Sequence, residues 1–214
     1  MRVDRERLFT AIANERREIA TLIDGLDDTQ LATPSLCVGW DVKTVAAHLA
    51  CSVTDGVSVA MRRALRRGSL ARAIDELARC RAQLPAAEIV TTLRQRADYP
   101  LSPPVFGPVS PFADILVHDG DIRIPLSLPF EPDPQQVAVA LDFLTGPWPF
   151  GFVPLGRLWG VSLHGTDIDR SWGKGAEIRG HAAALMMAVS GRTALLDNLD
   201  GPGLPLLRQR LLPA

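Results

Sequence analysis

The prolines of this chain decide most about what it can fold into. There are 17 of them, and those up to Pro134 stand at the edges of stretches with helical periodicity. A proline inside a helix removes a backbone donor and clashes with the preceding turn, so each such residue bounds an element. Residues 4 to 26 carry Leu8, Ile12, Ile19, Leu22, Ile23 and Leu26 at helical spacing with charged residues between them, which predicts an amphipathic helix. Pro34 and Gly39 break the segment that follows. A second helix is then expected from Asp41 to Arg67, with the Asp41 carboxylate near its positive end and Gly68 as its stop. The helical pattern returns over residues 70–97 with a break at Pro85. Pro100, Pro103, Pro104, Pro108 and Pro111 make residues 98–111 an irregular connector. A helix follows from Ser110 to Ile124, ended by Pro125, and another from Pro134, well suited to a first helical position, to Leu144.

Beyond that point the pattern changes. GPWPFGFVPLG is dense in proline, glycine and aromatic residues and reads as a crossing between domains. LWGVSLHGTDIDRSWGKGAEIRG alternates apolar and polar residues around glycine turns, as a β-hairpin does. HAAALMMAVSG and PLLRQRLL then read as two short helices. The fold class is therefore mostly α: a helical bundle over residues 1–147 followed by a small α+β domain over residues 148–214.

Hydrophobic residues make up 47% of the chain and the net charge is −1, which gives no reason to expect nucleic acid or an anionic membrane as partner. Arg62, Arg63, Arg66 and Arg67 form a basic cluster, read as a solvated helix end where arginines suit the negative pole of the dipole. No apolar run is long enough to span a bilayer, and MRVDRERLF carries charges where a signal peptide needs an apolar stretch. Cys37, Cys51 and Cys80 are odd in number and lack C-x-x-C spacing, so reduced thiols in a cytoplasmic protein are expected. Cys37 and Cys51 are read as buried inert thiols, and His164 and His181 as surface or capping residues.

Three side chains carry chemistry. His48 falls on the second helix, and Asp114 and His118 lie one turn apart on the helix that ends at Pro125. Two imidazoles and a carboxylate form a metal-ligand set, and the D-x-x-x-H spacing places two of them on one helix face. Asp121, three residues after His118, either accepts the free ring N–H of that histidine or serves as a cap or ion-pair partner for Arg123.

SLCVGWDVKTVAAHLA resembles the segment that opens the second helix of DinB-like bundles, and FADILVHDGDIRIPLSLP resembles its partner signature. With the order of the C-terminal WGVSLHG…EIRG…SGR segments, the chain resembles the mycothiol-dependent maleylpyruvate isomerases. The resemblance implies a DinB-like four-helix metal-binding bundle with a small sterol-carrier-like C-terminal domain. It places the metal ligands at His48, Asp114 and His118, with zinc as the ion and mycothiol as the thiol cosubstrate. The family's isomerase pattern has Glu where this chain has Asp114, a side chain one methylene shorter. An arginine of the C-terminal domain is expected to complete the family's active site, and Arg192 is the best match here.

The implied function is a metal-dependent thiol transferase or isomerase acting on a small electrophile. In the family's founding reaction a thiolate adds to the cis double bond of maleylpyruvate, the resulting single bond rotates, and elimination restores a trans alkene and the thiol. The alternative is a noncatalytic protein that keeps the metal for structure or for binding a small molecule. No dinucleotide fingerprint, phosphate loop or nucleophile elbow is present.

Overall fold

The computed structural model describes residues 4–149 and 151–211. The chain divides into two compact units, Met1–Leu128 and Pro129–Ala214. Among its described residues the first holds seven helices: α1 (Arg5–Asp24), α2 (Asp28–Leu31), α3 (Val42–Thr54), α4 (Gly56–Arg67), α5 (Leu70–Arg81), α6 (Ala86–Gln95) and α7 (Val109–Arg123). The starts of α1, α2, α3 and α5 are marked by short polar side chains that satisfy otherwise unpaired backbone donors. Asp4 accepts from the Glu6 amide, Asp41 from Thr44 and Ser69 from Arg72, while Asp27 and Gln30 form a reciprocal capping box. Gly68 ends α4 with φ +67°, a left-handed stop that a side chain would strain.

The expected helix from Asp41 to Arg67 is two helices. Its break falls at Asp55 and Gly56. Glycine is costly inside a helix, and the Thr54 hydroxyl bonds back to the Ala50 carbonyl, a contact that bends helices. The Asp55 carboxylate also pairs with Arg81 of α5 at 3.3 Å, holding the corner against the neighbouring helix.

The core of this unit is formed by Ile19 and Ile23 of α1, Val42, Val45, Ala46, Leu49 and Ala50 of α3, Ile89 and Leu93 of α6, and Ile115 and Ile122 of α7. The closest helix neighbours are α3 with α5, α4 with α5, and α1 with both α6 and α7. From Ser110 to Ile122 every residue of α7 except Asp114 is buried. A helix enclosed in this way brings its polar side chains into the interior, where each needs a partner.

The second unit holds α8 (Pro134–Leu144), β1 (Val161–Gly165), β2 (Arg170–Gly173), β3 (Ala176–Gly180), α9 (Ala182–Val189), a 3₁₀ turn at Leu196–Asn198 and α10 (Leu204–Leu211). α8, read from sequence with the bundle, packs on α9 and β2. The predicted hairpin is β1 with antiparallel β2, Leu163 facing Trp172 across the pair. A third strand, β3, runs parallel to β1 on its other side, giving the order β2-β1-β3. Lys174 and Gly175 alone carry the chain between the two edges of β1. Among the described residues no helix is long and apolar enough to cross a membrane.

Candidate metal centre

The helices α3 and α7 pack together and bring His48, Asp114 and His118 to one place. Their donor atoms all lie within 4.8 Å of one another. His48 Nε2 is 3.2 Å from Asp114 Oδ2, and His118 Nε2 is 3.5 Å from Asp114 Oδ1. Two donors each about 2.1 Å from one tetrahedral ion stand about 3.4 Å apart, so these separations fit a zinc-sized cation. The shorter Asp114 side chain therefore reaches both imidazoles. The two histidine side chains are 13% and 9% exposed and that of Asp114 24%, so what opening the centre has lies on the carboxylate side.

Asp121 is fully buried, and its Oδ2 lies 2.9 Å from His118 Nδ1. The other partner considered for it, Arg123, instead grips Asp119 with Nε at 2.7 and 2.8 Å from the two carboxylate oxygens. A carboxylate only accepts, so Asp121 takes a hydrogen bond from His118 Nδ1–H and leaves Nε2, directed at Asp114, as the ring atom available to a cation.

Trp40, which precedes α3, closes one side of the centre. Its ring centroid is 5.3 Å from that of His48 and 6.1 Å from that of His118, nearly parallel to the latter at 25°. The two imidazoles meet edge-on at 4.9 Å. The indole N–H donates to Asp75 Oδ1 at 2.7 Å. Sequence alone did not single out Asp75. The signal was there, since a buried indole N–H needs an acceptor and an i,i+4 pair of Asp75 and Arg79 supplies one on a neighbouring helix.

Arg16 of α1 is buried, and its Nη1 donates to the carbonyls of Ala97 and Tyr99, each at 2.8 Å. Burial lowers its pKa to about 10, against the opposing pull of the Asp98 and Asp114 charges. It is a fixed positive charge felt by the Asp114 carboxylate. Cys51, three residues after His48, donates its thiol to the Leu77 carbonyl at 3.4 Å. Burial, aided by the Asp55 charge and opposed by Arg81, raises its pKa to about 11. The three cysteines form no disulfide among the described residues.

Glu15 of α1 is pushed up to about 7 by burial, with the charges of Asp119 and Glu18 adding and Arg123 opposing. A carboxyl that keeps its proton longer folded than unfolded makes the folded state bind more protons between about pH 4.5 and 7. Stability then falls as pH rises through that window. Glu15→Gln is expected to remove this component, so that the variant gains on the parent at pH 8 and not at pH 4. Urea unfolding of both proteins across the range checks it, and parallel profiles would refute it.

The remaining sequence candidates fall elsewhere. Arg192 belongs to the second unit, follows Gly191 after α9, and donates to the Ser190 carbonyl at 2.6 Å. His164 stands on β1 beside Ser171 at 3.0 Å, and His181 caps the start of α9 by position. Arg63, Arg66 and Arg67 line a surface concavity of about 370 Å³ with Glu76, to which Arg67 is paired at 3.0 Å.

Residues 12–102 match the family described as mycothiol maleylpyruvate isomerase N-terminal domain. No curated protein sequence matches the chain. Among solved structures, the crystal structure of the mycothiol-dependent maleylpyruvate isomerase aligns at 13% identity over 94% of this chain and 93% of that one, with a TM-score of 0.58. A histidine-to-alanine mutant of a mycothiol-dependent maleylpyruvate isomerase aligns equally far at 13% identity and TM-score 0.59. Residues 12–102 thus match the model of the mycothiol maleylpyruvate isomerase N-terminal domain, and over nearly its whole length the chain has the fold of the solved isomerases.

Proposed function

We propose that this chain holds a divalent metal ion at His48, Asp114 and His118 and uses it with a low-molecular-weight thiol, mycothiol, to act on a small electrophile. The observation that carries the reading is the convergence of the three donor atoms within 4.8 Å of one another. Buried Asp121 holds His118 Nδ1 at 2.9 Å and leaves Nε2 turned toward the Asp114 carboxylate 3.5 Å away. Mixed nitrogen and oxygen donors suit zinc first, and nickel, iron and manganese share them. Such an ion, when bound, favours thiolate over thiol. The chain's own residues do the rest. Asp121 orients one ligand, Asp114 lies within 3.5 Å of both imidazoles, Trp40 shields them from water on one side, and the Arg16 charge offsets part of that of Asp114. Arg192 is proposed as the guanidinium that holds a substrate carboxylate. The reaction proposed is thiol addition and elimination, as in cis–trans isomerisation of maleylpyruvate, in a cytoplasmic setting that keeps the thiols reduced.

Metal analysis of the purified protein, followed by calorimetry with mycothiol, tests this. About one ion per chain and mycothiol binding that needs the ion are expected, both lost in His48→Ala. A protein that takes up neither overturns the reading. Zinc binding without any interaction with the thiol supports the noncatalytic alternative.

A further inference from the structure

Outside the ligand set, one closed ring of contacts leads into it from the surface. Asp75 on α5 accepts the Trp40 indole N–H at 2.7 Å and is gripped by Arg79 Nε at 2.9 and 3.0 Å from its two oxygens. Arg79 Nη2 donates in turn to the Gly39 carbonyl at 2.8 Å, so the same turn that carries Trp40 is tied to the pair from both sides. Gly39 adopts φ +81°, and a Cβ there would meet Arg79 Nη2 at 3.3 Å, which leaves the guanidinium its place only beside glycine. The hydrogen bonds from the Trp40 indole and the Arg79 guanidinium hold the Asp75 carboxyl below the usual range, so it stays anionic.

The Asp75 and Arg79 side chains are 41% and 51% exposed. An ion pair so open to water adds little to stability, about 0–1 kcal/mol. Its effect on geometry is larger. The indole can turn only by giving up its bond to Asp75, and its faces lie against His48 and His118.

We propose that Asp75 is a positioning residue for the metal centre: through Trp40 it fixes the two imidazoles and so sets how tightly they hold their ion. The inference rests on the metal reading above. Ligand-orienting groups beyond the first contacts commonly change metal affinity 10–100-fold. Asp75→Ala in the full-length protein is expected to weaken zinc binding about ten-fold, read by competition with a chromophoric chelator. Asp75→Asn keeps an acceptor for the indole and is expected to stay within about three-fold of the parent, well inside the range for lost orienting groups. In a Trp40→Phe background, where no N–H is present, Asp75→Ala should add nothing, because the coupling runs through the indole. The absorption spectrum of the cobalt-loaded protein should shift with Asp75→Ala and not with Asp75→Asn, which a change of stability alone would not produce. Unfolding curves for each variant establish that it is folded.

An Asp75→Ala protein that binds zinc like the parent overturns this inference alone. Equal weakening in the parent and Trp40→Phe backgrounds does the same. A parent that binds no zinc overturns the metal reading and this inference with it.

Discussion

His118→Ala is expected to weaken zinc binding by more than the roughly 10–100-fold that loss of a ligand-orienting group costs, and to destabilise the metal-free protein as well. The two effects have different origins. The first is the loss of a donor from a set of three. The second arises at Asp121, which is fully buried 2.9 Å from His118 Nδ1. Removing the donor leaves a buried acceptor without this hydrogen bond, at a cost of about 1–3 kcal/mol. Asp121→Asn separates the two. Its amide can donate to Nδ1 and move the proton to Nε2, which spoils the donor while keeping a hydrogen bond to the buried side chain. Weaker zinc binding with near-parental stability is expected for that variant. Zinc titration and urea unfolding of the metal-free proteins read both quantities. A His118→Ala protein with parental zinc affinity would exclude this histidine as a ligand.

The second large effect is expected at Gly175. The backbone there has φ +137°, and a Cβ would stand 2.1 Å from the Gly160 carbonyl oxygen and 2.7 Å from the Val161 amide nitrogen. Both contacts are backbone atoms at the start of β1, and Gly160 also accepts the Ala176 amide at 2.9 Å. No side-chain rotation can make room, so Gly175→Ala must move the strand crossing itself. A loss of about 3 kcal/mol or more is expected, at the upper end of overpacking costs, out of the roughly 5–15 kcal/mol that hold a domain. Lys174→Ala, exposed and next in sequence, should stay within about 0.5 kcal/mol of the parent. Fluorescence of buried Trp172 on β2 follows the unfolding of this unit. Equal stability of the two variants would show that the crossing relaxes freely.

What the sequence made legible follows from which forces act locally. The helices at 5–24, 109–123 and 134–144 stand where periodicity and proline placed them, because a buried stripe and a missing N–H are both local signals. The break at Asp55 was hidden because the apolar pattern runs on through it, and Arg81, which holds the corner, is distant in sequence. The parallel pairing of β3 was likewise hidden. Alternation marks a strand, but only Gly175 against Gly160 lets the chain reach the far edge of β1. At the site, ligand types and spacing singled out His48, Asp114 and His118, and the structure brings all three together. Between the two roles left open for Asp121, geometry selected the contact with His118, since Arg123 is taken by Asp119. Asp75 stayed out of sight because its link to the centre passes through an aromatic ring rather than through sequence distance.

One further consequence concerns Cys51. Its thiol is the chain's own nucleophile nearest in sequence to His48, yet with a pKa of about 11 it stays protonated at neutral pH. A protein that brings reactive carbon compounds to an added thiol risks alkylating itself. Were the chain to act with an added thiol as proposed, this buried, carbonyl-bonded sulfur would not compete with it for the electrophile.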